Sequence, residues 1–88
     1  MSTKGAVMLL NAALIIKERG EAYGAAAKNM ATTARLWSVV LGVDVTPEQV
    51  ALCLIQLKVA RLLVTPSHAD SVADIAGYAA VLHEVQNG

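Results

Sequence analysis

Lys58 and Arg61 stand three residues apart, and Asp70, Asp74 and Tyr78 follow at intervals of four. On helices these spacings place each set on one face. The short connector "TPSHA" makes the two segments a helical hairpin, in which Arg61 should lie near Asp70 and Lys58 near Asp74. Gly77 sits beside the acidic stripe, where a missing side chain permits close approach. Two basic groups facing two carboxylates can tie the helices in register by salt bridges. The same groups can clamp a phosphate, with Asp70, Asp74, Asn29, Tyr23, Tyr78 and His68 reading a sugar or base by hydrogen bonds or stacking. The residues leave both uses open.

The remaining reactive side chains carry less. His68 reads as a cap or loop contact rather than a catalytic base, because no Ser or Cys nucleophile stands at a recognisable spacing from it. His83 and Glu84 read as solvated surface, and Trp37 as core or interface rather than a stacking platform. The single cysteine, Cys53, excludes an intrachain disulfide and a cysteine-cluster metal site. Its apolar neighbours mark it as a buried core thiol. The sequence holds no Gly-rich phosphate loop, HExxH or GxSxG.

Four helices are needed to position these groups. "STKGAVMLLNAALIIKERG" reads as the first, started by Ser2 or Thr3, with Lys17 and Arg19 in its last turn and Gly20 as its stop. Only Asn11 breaks its apolar middle, so the helix should be covered on most sides. "GEAYG" follows as a connector with two glycines. "AAAKNMATTARLWSVVLG" is the second helix, with Met30, Ala34, Trp37 and Leu41 on its buried side. Thr46, Pro47 and Gln49 start the third as cap, first helical residue and capping box, and Glu48 suits its positive end. The third runs to about Val64 and is apolar almost all round, which suits the centre of a bundle or an interface. Pro66 ends it, Ser67 or Asp70 caps the fourth helix, and the fourth runs to about Val85. The expected fold is a single all-α domain over residues 1–88, a four-helix and mostly antiparallel bundle.

The chain has 88 residues, 56% of them hydrophobic and 16% charged, with seven basic and seven acidic side chains. So small a domain cannot easily hide that much apolar material, and self-association is the physical outlet. The balanced charge excludes an extended nucleic-acid surface. No segment reaches the length of a membrane span, and no signal-cleavage pattern follows the apolar N-terminal run, so a cytoplasmic location is expected.

"YG", then "N", then "LW…LGV.VTPE.VAL….LK.AR", then "P.H.DS..DIAGYA" resembles a family of small phage and prophage proteins of unknown function, over roughly residues 20–82. That family is similar in turn to the all-α, MazG-like nucleotide pyrophosphohydrolases. The resemblance implies an all-α fold, assembly into homodimers or homotetramers, and a nucleotide-related role in the host cytoplasm. The hydrolases hold magnesium with an EExxE helix and a following ExxD helix. Asp74 matches the aspartate of ExxD, but Ser71 stands where the glutamate belongs, and Lys58 and Arg61 occupy the zone of the acidic motif. A cation pair repels a divalent metal and attracts phosphate.

The leading expectation is therefore a protein that binds a nucleotide or a nucleotide-derived signal, without a cofactor and with weak or no hydrolysis. One alternative is a magnesium-dependent pyrophosphohydrolase with Asp70 and Asp74 as metal ligands, joined by Glu48 or an acid of a neighbouring subunit. The other is a non-catalytic helical protein that acts on a host partner through exposed apolar faces.

Overall fold

Thr46 starts the longest uninterrupted apolar segment of the chain in the way its sequence dictates. Its Oγ1 accepts the Gln49 N–H at 3.1 Å, and Gln49 Oε1 accepts the Thr46 N–H at 2.9 Å. This reciprocal pair satisfies two donors that helix geometry leaves free. Pro47 follows as the first helical residue, with Glu48 in the first turn. In the computed structural model, which describes residues 3–18 and 20–88 but not the side chains of residues 16 and 20–25, four helices account for nearly all of the chain. They are α1 (Lys4–Glu18), α2 (Gly20–Leu41), α3 (Pro47–Val64) and α4 (Ala69–Asn87), with no strand among the described residues. The all-α expectation holds.

The helix ends follow local chemistry. The Ala6 N–H donates to Thr3 Oγ1 at 3.1 Å, so Thr3 caps α1. Gly42 leaves α2 at φ +71°, and a β-carbon there would meet nothing within 4 Å. Conformation alone, rather than crowding, favours glycine at that turn. Ser38 fixes the same corner: its hydroxyl donates to the Ala34 carbonyl at 2.7 Å and accepts the Val45 N–H at 2.8 Å. At the next corner the Thr65 N–H closes on the Arg61 carbonyl at 2.9 Å, and Pro66 prevents continuation.

Three boundary expectations need correction. "GEAYG" is not a connector: it forms the first turn and more of α2, and Gly20 opens that helix instead of stopping α1. The alanine-rich stretch that follows has the strongest helix propensity of any residue type, which offsets a glycine cost of roughly 1 kcal/mol each. Arg19, expected in the last turn of the first helix, lies outside the described residues. The cap of α4 is His68, not Ser67 or Asp70, and α4 runs on to Asn87.

α3 is the central element, packed mainly on α4 and then on α2, while α1 leans on α4 and only lightly on α2. The core is small. Ala34, Val50, Ala51 and Val81 are its buried hydrophobic residues, with Ser71 as a buried polar one. On α2, Met30 and Trp37 are half-buried as the helical spacing implied, but Leu41 is exposed. α1 is not covered on most sides either, since Leu9, Leu10 and Leu14 face outward. Cys53 is also exposed rather than buried. It lies two residues past the fully buried Ala51, just over half a helical turn away, which carries it to the outer side of α3. The molecule is a flat slab of 49 × 32 × 16 Å with a radius of gyration of 14.2 Å. A compact chain of this length has about 12 Å.

Candidate functional site

The α3–α4 hairpin brings one of the two expected ion pairs together. Lys58 Nζ lies 2.9 Å from Asp74 Oδ2, with the lysine side chain 16% exposed and the carboxylate 47% exposed. The two residues stand at equal distances from Pro66, as antiparallel pairing requires. The second pair does not form: among the described residues no carboxylate comes within 4.0 Å of the Arg61 guanidinium. Three residues along a helix is 60° short of a full turn. Lys58 therefore reaches a carboxylate of α4 and Arg61 does not, although both line one depression with Leu57 and Ala60.

The acidic stripe faces a different neighbour from the one its spacing suggested. Asp70, Asp74 and Tyr78 line a groove of about 740 Å³ between α4 and α1, with Ala26 of α2 at its edge. Across it stand Lys4 and Asn11 of α1, among the apolar Val7, Met8 and Ile15. Gly77 lies in the same wall. The groove thus unites three of the expected site residues, and its described lining does not include Lys58, Arg61, Asn29 or His68. Lys58 reaches it only through Asp74, Arg61 lies elsewhere, and Asn29 is exposed on α2 outside it. The side chain of Tyr23 lies outside the described residues. Lys4 and Asn11 were not among the residues expected at the site, although Lys4, Met8, Asn11 and Ile15 recur at helical spacing on one face.

His68 does have a hydroxyl partner, contrary to the reading from spacing. Its Nδ1 accepts the Ser71 N–H at 3.2 Å and lies 2.7 Å from Ser71 Oγ. A serine beside an imidazole is a nucleophile–base arrangement only where substrate reaches the hydroxyl. Ser71 is 0% exposed, so this pair caps α4. His68→Ala is expected to lower stability by about 1–2 kcal/mol through the lost cap and the stranded serine hydroxyl. His68→Asp should retain most of that stability, as a better cap of the same reach; equal thermal midpoints for His68→Ala and the parent would refute the role. His83 and Glu84 are exposed, as expected of a solvated helix end.

Among the described residues no three His, Cys, Asp or Glu side chains converge as metal ligands. Among the described residues the groove offers the carboxylates of Asp70 and Asp74, and one of them is already paired. No described helix is long and apolar enough to cross a membrane.

Four helices around a small core, with an open and largely apolar groove, define a small all-α protein centred on the α3–α4 hairpin. The chain belongs to the family described as "Domain of unknown function (DUF6378)", whose model matches residues 7–86. It is 45% identical over 74 residues to the "Gene 55 protein" of Mycobacterium phage L5, a match covering 83% of this chain and 47% of that protein. Against the "Gene 55 protein" of Mycobacterium phage D29 it is 36% identical over 72 residues, covering 82% of this chain and 48% of that protein. The chain thus spans about half the length of these two relatives. No solved structure matches it. The resemblance to small phage proteins is borne out by these relatives.

Proposed function

We propose that the chain is a non-catalytic helical interaction module of phage type, working by presenting apolar helix faces to a protein surface. The observation that carries this is the distribution of its apolar side chains. Large hydrophobic residues stand exposed on every helix, among them Leu9, Leu14, Val39, Leu63 and Val72, while the buried core is held to a few small ones. Val39 with Val40, and Leu63 with Val64, stand side by side in the chain and are largely exposed, and exposed apolar patches mark sites of protein association. The polar groups support the same reading: Lys58 is held by Asp74, and His68 is used as a cap.

A second reading is favoured by the groove. A nucleotide or nucleotide-derived ligand would lay its base against Tyr78 and the apolar wall, with Asp70 and Asp74 accepting hydrogen bonds from donor groups and Lys4 as the nearby cation. Lys58 and Arg61 share a separate depression, but they fit a phosphate clamp poorly, since Asp74 already neutralises Lys58.

Thermal unfolding with a panel of nucleoside mono- and triphosphates and cyclic dinucleotides separates the two. A ligand selective for the folded state at about a hundred times its Kd adds about 2.7 kcal/mol. The interaction module is expected to show no shift with any of them. A saturable rise that disappears in Tyr78→Ala would replace it with the nucleotide reading. Magnesium-dependent pyrophosphate release lost in Asp74→Asn would instead establish the hydrolase.

A further inference from the structure

We propose that the outward face of α3 is where a second copy of this chain docks, in an isologous pair with Gln56 at its centre. This rests on the interaction reading above and names its partner. The side of α3 turned away from α2 and α4 carries Leu52, Cys53, Gln56, Ala60, Leu63 and Val64, all exposed. No charged residue stands among them; Arg61 flanks the stripe at its edge. Leu63 and Val64 are 80% and 85% exposed, at the end of the helix that holds the fully buried Val50 and Ala51. The central helix is thus apolar on both sides, and only one side is covered by its own chain.

The area supports a partner of the chain's own size. A folded monomer of 9.2 kDa is expected to expose about 4,900 Å². This chain exposes 6369 Å², a surplus of roughly 1,400 Å² over that expectation. A stable interface hides about 800 Å² per partner, so covering the α3 face falls within the surplus. Equal numbers of basic and acidic side chains leave no net repulsion between copies.

Gln56 supplies the register. It is the polar residue near the midpoint of α3, with the small Cys53 and Ala60 on either side. A carboxamide both donates and accepts, so it is complementary to its own copy across a two-fold axis. Antiparallel crossing at that point sets Leu52 of one copy near Ala60 of the other, a large residue against a small one.

Sedimentation velocity tests this with three proteins. The parent is expected to sediment as a dimer or higher even-numbered assembly. Gln56→Glu is isosteric and exposed in the protomer, so helicity by circular dichroism should be unchanged, while facing carboxylates weaken association about tenfold or more. Val40→Glu, also at an exposed position but on α2, should assemble as the parent does. Gln56→Cys in a Cys53→Ser background should form a disulfide-linked dimer on mild oxidation. A parent that stays monomeric at every concentration would overturn the proposal and leave the face for another chain or for further segments of a longer protein. An assembly indifferent to Gln56→Glu and without the cross-link would place self-association on another face. Either failure is independent of the nucleotide panel, which tests the interaction reading itself.

Discussion

Ala51→Leu is expected to be the most damaging conservative substitution in the chain. Ala51 is 0% exposed on α3, the helix packed against both α4 and α2. Three added carbons at so fully buried a position must push a helix aside. Overpacking of this kind costs typically 1–3 kcal/mol. For a domain this small each kcal/mol lowers the thermal midpoint by about 4–8 °C. The core holds few other buried residues, so little remains to absorb the change. Ala79→Leu is the control, because Ala79 is exposed on α4 and should shift stability by less than about 0.5 kcal/mol. The two must be compared at one protein concentration, since association with a second copy makes the midpoint depend on concentration. Equal midpoints would mean that α3 is not the centre of the fold.

The sequence was legible wherever local chemistry decides the structure. Thr46, Pro47 and Gln49 specify the start of α3 by themselves, because a capping box needs only residues within one turn. Lys58 and Asp74 were legible for a similar reason, since a short connector leaves few registers for a hairpin. Cys53 was not, and the cause is physical. Orientation is read from the contrast between an apolar and a polar face, and α3 has apolar residues on both. The feature that hid Cys53's direction is the one that now marks the outer face of α3 for association. Spacing placed Asp70, Asp74 and Tyr78 on one stripe, but which helix lies opposite is a tertiary fact. α1 occupies that place, so Lys4 and Asn11 entered the groove unforeseen. His68 was legible as a cap or loop contact, and its Nδ1 accepts the Ser71 N–H, although Ser67 and Asp70 were the commoner acceptor types for the start of α4. "GEAYG" shows the converse, two glycines taken as a turn where the flanking alanines continue the helix.

The Lys58–Asp74 pair yields the other large effect, and it separates a structural pair from a ligand clamp. Asp74→Leu leaves the Lys58 ammonium in a position where its side chain is only 16% exposed, without its counter-charge. Breaking a fully buried pair in this way costs about 3–5 kcal/mol. Asp74 is nearly half exposed, and water partly replaces it, so the expected loss is about 1–2 kcal/mol. Lys58→Met should cost less, because the carboxylate left behind is the better solvated partner. The double variant Lys58→Met with Asp74→Leu removes both charges and keeps similar volume, so it should recover most of the stability lost in Asp74→Leu. A structural pair gives this recovery with or without nucleotide. A ligand clamp would instead add a nucleotide-dependent stabilisation in the parent that both single variants and the double variant lose. If Asp74→Leu unfolds at the parental temperature, the 2.9 Å contact is a solvated surface pair, and the register of the hairpin is held by apolar packing alone.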